Sequence, residues 1–247
     1  MDHGIYVATS GFLSQQKRLD IITNNLANVN TAGYKEDVPV FQISRFSQAS
    51  IQPEGMGLPW SPVFVSLKQK VTDFSQGTLT KTENPLDVAL SGEGFFVVQT
   101  PQGPRYTRKG DFTIDRDGTL ITQEGHPVMG EGGRIVLSSG EVEIDLEGNV
   151  FVDGNQEGRL RVVAFQGQED LIKEGEARFA WNGKASDVRQ LERPDVRQGY
   201  LEMANVNPVR EMVHMIEAIR TYEAQQKVIH SFDDARKKAV DEVGRLR

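Results

Sequence analysis

The sequence contains no cysteine, which excludes disulfides, thiolate nucleophiles and cysteine-ligated zinc. No uninterrupted apolar run approaches the roughly 20 residues that a membrane-spanning helix needs, so we expect no membrane insertion. A basic excess is also missing, because 28 Lys and Arg stand against 35 Asp and Glu, and the net charge of −7 disfavours nucleic acid as a partner. The remaining composition is that of a globular protein, and 247 residues suffice for one large domain or two modest ones.

The N-terminus lacks the pattern of a cleaved secretory signal. Such a signal places basic residues before an apolar stretch of roughly 7–15 residues. Residues 1–16 contain no Lys or Arg, and polar side chains interrupt the apolar ones at Thr9, Ser10, Ser14, Gln15 and Gln16. We therefore expect a chain that is either cytoplasmic or exported without removal of its N-terminus.

Glycine, proline and charge divide the chain into ends and a middle. Residues 1–35 and 203–247 each carry a net charge of +1, whereas the middle carries −9 and holds 20 of the 24 glycines and nine of the ten prolines. Because helices tolerate glycine and proline poorly, the ends are predicted to be helical and the middle to consist of strands and loops.

The N-terminal segment 1–35 shows a heptad period, with a helix predicted over about residues 4–29. Seven of the eight heptad positions are apolar, and Gln15 is the exception: Ile5, Ala8, Phe12, Gln15, Leu19, Ile22, Leu26 and Val29. This narrow apolar stripe is typical of a coiled-coil seam.

The C-terminal segment 203–247 has a similar pattern. Asn207 followed by Pro208 is a helix start, because an amide caps the helix and proline suits its first position. Spacings of three and four residues then connect Met212, Met215, Ile219, Tyr222, Gln226 and Ile229. A helix over about 208–243 would be roughly 50 Å long and too thin to bury itself, so we predict that it pairs with the N-terminal helix as a coiled coil.

The middle of the chain is predicted to have two parts. Residues 36–74 show no clean period and are interpreted as an extended connector with some strand. Residues 75–202 are predicted to form an all-β domain, a compact barrel or sandwich, with hairpin turns at Asp117-Gly118, Glu147-Gly148-Asn149 and Asp153-Gly154-Asn155. The strand candidates are 95–98, 112–114, 120–122, 135–137, 142–146, 150–152 and 160–165. The predicted fold class is therefore α+β.

Residues with catalytic or metal-binding chemistry form no convincing site in the sequence. Asp115-Arg116-Asp117-Gly118 resembles the start of a calcium loop, but no bidentate glutamate follows, so a β-turn is the better interpretation. The acidic pairs Glu141/Glu143 and Asp115/Asp117 are explained by chance among many carboxylates. We predict no catalytic residue, cofactor or metal, and no enzymatic activity.

An asparagine cluster lies beside the N-terminal seam, at Asn24, Asn25, Asn28 and Asn30. One interpretation is a frayed helix end with asparagine caps. The other is that the amides, which both donate and accept hydrogen bonds, join closely packed helices of neighbouring subunits. The residues alone leave both open.

Four sequence motifs resemble those of the bacterial flagellar rod and hook protein family. They are the stretch 21–35, the stretch 84–96 from Asn84-Pro85-Leu86-Asp87 to Gly94-Phe95-Phe96, the segment 106–118 with Tyr106-Thr107-Arg108 and Gly110-Asp111-Phe112, and the stretch 199–212 with Gly199-Tyr200-Leu201-Glu202, Asn205-Val206-Asn207 and Glu211-Met212. They occur in the family's order over nearly the whole chain.

The resemblance implies a subunit of the flagellar basal-body rod, the shaft that crosses the periplasm, and it is strongest for proximal-rod members, with distal-rod members as near relatives. It implies export through the flagellar type III apparatus without cleavage, terminal helices that line the tube as a coiled coil, and a β domain outside them. Expected partners are copies of the chain and other proximal and distal rod proteins. The alternative from another class is a secreted cell-wall hydrolase or binding module that uses carboxylates of residues 75–200.

Self-assembly is expected to use the seam and asparagine residues of both ends. These are Ile5, Phe12, Leu19, Ile22, Asn24, Asn25, Leu26, Asn28, Val29, Asn30, Asn205, Asn207, Met212, Met215, Ile219, Tyr222 and Ile229.

Overall fold

The structure is a computed structural model that describes residues 2–45 and 63–245. The chain divides into two compact units. The first, called the helical unit, takes Met1–Ala27, Asp37–Val71 and Asn207–Arg247, and the second, called the β unit, takes Asn28–Glu36 and Thr72–Val206.

Two long helices and a strand pair make up the helical unit. Helix α1 spans Asp2–Ala27 and α2 spans Pro208–Arg245, so both terminal helices of the α+β prediction are present. The predicted start of α2 is confirmed, because Asn207 Oδ1 accepts hydrogen bonds from the backbone N–H of Val209 and Arg210, both at 3.1 Å.

The stretch interpreted as a connector contains regular strands in its described parts. Strands β1, Asp37–Arg45, and β2, Val63–Thr72, pair in a two-stranded sheet. The rest of the predicted connector, residues 46–62, lies outside the described residues. The alternation that would reveal β1 is broken in the sequence by Pro39, which obscures the period.

The β unit contains seventeen described strands, which are mostly short. In chain order they are β3 Leu79–Lys81, β4 Val88–Ser91, β5 Phe95–Thr100, β6 Gly103–Thr107, β7 Thr113–Ile114, β8 Leu120–Ile121, β9 Met129–Gly130, β10 Gly133–Arg134, β11 Val142–Ile144, β12 Asn149–Val152, β13 Asn155–Arg159, β14 Val162–Phe165, β15 Leu171–Gly175, β16 Arg178–Trp181, β17 Val188–Gln190, β18 Asp195–Gln198 and β19 Tyr200–Glu202.

The largest sheet has six strands in the order β15-β16-β6-β5-β14-β17. Alternate residues of β5 face opposite sides of it. Phe96 and Val98 join an aliphatic core with Leu120 and Val150, whereas Phe95 and Val97 join a second, aromatic cluster. In that cluster the rings of Phe95 and Phe179 meet edge to face at 5.8 Å.

The C-terminal strands close the β unit against its beginning. Strand β18 pairs with β4, and β19 pairs with β3 across Tyr200↔Lys81 and Glu202↔Leu79. None of these four strands was among the predicted ones, and neither were β6, β9, β10, β13 and β15–β17. Most of them are too short to show a period, and the run Val88-Ala89-Leu90 of β4 is buried on consecutive residues rather than alternating. The predicted strand 135–137 does not form one; it contributes a single bridge, Thr119↔Val136.

The predicted turn chemistry is confirmed at Asp153-Gly154, where both residues have positive φ, 49° and 80°, between the paired Val152 and Asn155. Asp115 Oδ1 likewise accepts the N–H of Asp117 and Thr119, the hydrogen bonds of a turn. This geometry supports the β-turn interpretation of that segment.

The turn between β15 and β16 places two residues other than glycine in the left-handed region, Glu176 at φ 50° and Ala177 at φ 54°. Substitution Glu176→Gly should stabilise the protein by roughly 0.5–1 kcal/mol, because relief of the strain exceeds the entropy that glycine adds to the unfolded chain. Thermal unfolding should show a higher midpoint for Glu176→Gly and a lower one for the control Glu143→Gly, which lies in a strand. A lowered midpoint for Glu176→Gly would contradict this account of the turn.

Candidate self-assembly surface

Helices α1 and α2 lie side by side and antiparallel within the helical unit. The rings of Phe12 and Tyr222 are 4.5 Å apart, and Arg18 lies 3.9 Å from Glu217. Gly11 allows close approach, since a Cβ there would lie 3.0 Å from the Nε2 atom of Gln225.

The row of α2 that faces α1 differs from the predicted one. Its less exposed residues follow spacings of four and three: Glu211, Met215, Ala218, Tyr222, Gln225, Ile229 and Phe232. Met215, Tyr222 and Ile229 belong to both rows, but Met212, Ile219 and Gln226 are exposed, so the prediction was wrong in counting these three toward the pair. The small Ala218 and the polar Glu211 and Gln225 occupy the inner row, and an apolar pattern does not detect them.

The opposite side of α2 carries large apolar side chains in solvent. Over its first three turns the exposed fractions are 69% for Val209, 50% for Met212, 49% for Val213, 52% for Ile216 and 41% for Ile219. We call these five residues the α2 stripe. Over these turns the face toward α1, with Glu211, Met215 and Ala218, has less apolar surface than the exposed face, the reverse of what burial favours for an isolated pair.

Two buried glutamine oxygens weaken the contact between the helices. Among the described residues, Oε1 of Gln15 and Oε1 of Gln225 have no hydrogen-bond partner although both atoms are buried. A buried unpaired carbonyl costs about 1–3 kcal/mol. Gln15, the polar residue of the N-terminal heptad, and Gln225 of α2 therefore each have a buried oxygen without a hydrogen bond.

Asn25 ties three segments of the helical unit together. Its Oδ1 accepts the N–H of Asp37 at 3.0 Å, and its Nδ2 donates to the C=O of Asp37 at 2.9 Å and to Glu211 Oε2 at 3.2 Å. Asp37 is paired with Lys70 at 3.0 Å, and Glu211 with His214 at 3.3 Å. The amide of Asn25 thereby holds the start of β1 and the first turn of α2 beside α1.

The other predicted assembly residues of α1 and the following turn have varied surroundings. Ile22 is buried, Phe12, Leu19, Leu26 and Val29 are half-buried, and Asn24 and Asn30 are exposed. Asn28 Oδ1 accepts a hydrogen bond from Thr31 at 3.2 Å. Ile5 lies in α1, and its side chain is outside the described residues.

Asn205 belongs to a second polar network, inside the β unit. Its Oδ1 accepts the N–H of Glu36 at 2.7 Å, and its Nδ2 donates to the C=O of Asp73 at 2.9 Å and to Ser75 Oγ at 3.0 Å. It links three chain segments that lie far apart in the sequence.

A buried ion network that the sequence patterns did not predict surrounds Glu202, the last residue of β19. The Glu202 carboxylate accepts hydrogen bonds from Lys35 Nζ at 2.6 Å, Arg108 Nη1 at 3.3 Å and the N–H of Gly77 at 2.9 Å. All three charged residues are buried. Burial lowers the pKa of the Lys35 ammonium, a shift that the neighbouring Glu202 opposes. The motif segments contain all three residues, since Lys35 ends the stretch 21–35, Arg108 lies in 106–118 and Glu202 lies in 199–212.

Carboxylates considered for catalysis lie at the surface. Glu141 and Glu143 line an open depression of about 520 Å³ with Glu83 and Asp153. Among residues 2–45 and 63–245 there is no group of histidine and carboxylate side chains suited to hold a metal ion. Within the same ranges no helix is both long and apolar enough to cross a membrane.

Three family models match the chain and define its class. Residues 5–35 match the flagella basal body rod protein family, residues 89–152 the flagellar hook protein FlgE/F/G D1 domain, and residues 197–242 the flagellar basal body rod FlgEFG protein C-terminal region. The class is therefore that of bacterial flagellar rod and hook proteins.

Curated relatives agree over nearly the full length. The chain is 35% identical over 251 residues to the flagellar basal-body rod protein FlgF of Caulobacter vibrioides, with 100% of both chains covered. It is 33% identical to FlgF of Escherichia coli, with 95% of each chain covered, and 33% identical to FlgG of Buchnera aphidicola subsp. Schizaphis graminum, with 93% of this chain and 95% of the relative covered. The chain belongs to the flagellar basal-body rod protein family, is of the FlgF type, and is a structural subunit of the rod. The resemblance expected from the motifs is confirmed.

Proposed function

We propose that the chain builds the rod by packing the α2 stripe and the exposed side of α1 against helices of neighbouring subunits. The observation that carries this proposal is the exposure of five large apolar side chains on one side of α2, although the inner row of the same helix contains the polar Glu211 and Gln225. An apolar stripe of this kind is typical of an interaction surface.

The energies favour additional helix neighbours over an isolated pair. Burying the exposed half of each stripe residue contributes roughly 1 kcal/mol per side chain. The near-neutral charge of residues 1–35 and 203–247 supports side-by-side packing of identical helices, since strongly like-charged helices would repel. Terminal helices from several subunits would then form a coiled-coil core with the β unit outside it, and contacts that do not close on themselves would extend this core into a tube.

We further propose that the partners are copies of this chain and other rod proteins, at the proximal position, and that the flagellar type III apparatus delivers the chain. The similarity to FlgF proteins supports the proximal position, and the similarity to FlgG proteins supports shared packing with the distal rod. The proposed role is mechanical and involves no catalytic step. Open, solvent-exposed carboxylates such as Glu141 and Glu143 favour that role over hydrolysis.

Two isoleucines of equal exposure test the proposal. Ile216 of the α2 stripe is 52% exposed and Ile172, on β15 of the β unit, is 51% exposed. Substitution Ile216→Asp should abolish incorporation into basal bodies and motility when the variant replaces the wild-type protein in a bacterium, because a carboxylate cannot be buried in an apolar helix contact. Ile172→Asp, the matched control, should leave both intact.

Thermal unfolding of the two purified variants separates assembly from folding. Because both positions are exposed, each variant should retain the wild-type unfolding transition of the β unit. Normal rods built from Ile216→Asp protein would refute the proposed interface.

A further inference from the structure

The buried ion network contains two cations for one carboxylate. Lys35 donates to Glu202 and to the C=O of Ser75 at 2.7 Å, and Arg108 donates to Glu202 and to the C=O of Gly92 at 2.6 Å. The guanidinium of Arg108 also lies over the ring of Phe95, 5.3 Å from its centroid. Both cations are buried because Glu202 is present, and without its charge each would favour a solvated position.

Of the three charged residues, Glu202 comes last along the chain, far behind the other two. Glu202 follows Lys35 by 167 residues and Arg108 by 94 residues. Its strand, β19, and the preceding β18 complete the pairing of β3 and β4, and Val196 of β18 is a fully buried member of the aliphatic core. Residues 195–202 therefore supply the last partner strands, a core side chain and the only carboxylate in hydrogen-bond contact with Lys35 and Arg108 among the described residues.

We propose that residues 195–202 are the closing segment of the β unit and that Glu202 makes closure a late, cooperative step. Until Glu202 arrives, Lys35 and Arg108 remain hydrated and hold this end of the unit open. A chain that becomes available from its N-terminus, as during synthesis, therefore keeps the β unit open until about four fifths of its length has emerged.

Refolding and unfolding kinetics of the full chain test whether the contacts of Glu202 form late in folding. A contact formed after the rate-limiting step changes the unfolding rate and leaves the folding rate alone. Substitution Glu202→Gln keeps the shape and removes the charge. We expect about a hundredfold loss in the folding equilibrium constant of the β unit, almost all of it from faster unfolding. Glu174→Gln, which removes an ion pair to Arg105 that is partly exposed, is the control and should change both rates less than about threefold.

A second substitution distinguishes charge from general damage. Lys35→Met alone should destabilise the β unit, but in the Glu202→Gln background it should raise the unfolding midpoint, because it removes one of two buried cations that have lost their hydrogen-bonded carboxylate. If Glu202→Gln alone fails to fold, the double variant is still expected to fold and to show an unfolding transition. Wild-type stability of Glu202→Gln, slowed folding with unchanged unfolding, or Lys35→Met adding to the loss would each overturn the proposal. All measurements use unassembled protein, so the outcome is independent of the proposed rod interface.

Discussion

Hydrogen exchange on the dilute monomer is expected to leave residues 5–29 and 209–243 nearly unprotected and to find strong protection within residues 75–200. The contact between α1 and α2 includes the ring pair of Phe12 and Tyr222, but Gln15 and Gln225 each leave a buried oxygen unpaired, which offsets part of the apolar burial. In proteins most of the stability of a helix comes from tertiary packing of its apolar face rather than from intrinsic propensity. The β unit, by contrast, has an aliphatic core and an aromatic cluster of its own.

Exchange rates that differ by orders of magnitude between the two regions are the expected result, because protection follows the free energy of local opening. Assembled rods should show the same amides protected, since neighbouring helices would cover the α2 stripe. Strong protection of both terminal regions in the monomer would contradict the expectation. It would mean that α1 and α2 are a stable pair before assembly.

The double substitution Gln15→Leu/Gln225→Leu is expected to reverse this behaviour and order the helices in the monomer. Each change removes a buried unpaired carbonyl oxygen and adds apolar burial at nearly constant volume, which together are worth about 2–4 kcal/mol per site. Hydrogen exchange should then show protection on both sides of the helix contact, around residues 11–25 and 211–229. Circular dichroism of the dilute monomer should show a higher helix content.

The adjacent glutamines provide a matched control. Gln16 and Gln226 are exposed, so Gln16→Leu/Gln226→Leu makes the same chemical change one residue away on the solvent side of each helix. This control should leave monomer protection unchanged. Equal ordering by both double variants would show that helix propensity, rather than the buried glutamines, sets the stability of the pair.

The terminal helices and their ends were predictable because their signals are local. Asn207 caps α2 through the N–H groups of the second and third residues after it, and Asp153-Gly154 forms its turn through its own backbone. Heptad spacing likewise depends only on side chains within a few turns of one helix. The α+β class and the family motifs could therefore be recognised without coordinates.

The choice between two nearly equivalent rows of α2 was not predictable from its sequence. The rows share Met215, Tyr222 and Ile229 and differ by one residue elsewhere, so both keep the spacing of a seam. The apolar pattern favours the row with Met212 and Ile219, which the structure leaves exposed. The inner row instead meets α1 through Gln225 beside Gly11 and through the hydrogen bond between Asn25 and Glu211. Such selection depends on a second helix nearly 200 residues away.

The helical ends, the caps and turns and the β character of the middle could thus be predicted from residues that are neighbours along the chain, and the family from the motifs. Tertiary contacts were needed to learn which strands close the β unit, that Glu202 balances Lys35 and Arg108, and that the residues of the α2 stripe face solvent. The physical reason is that pairing and burial are properties of surfaces brought together by the whole fold. A residue's type limits its partners but does not specify which distant segment supplies them.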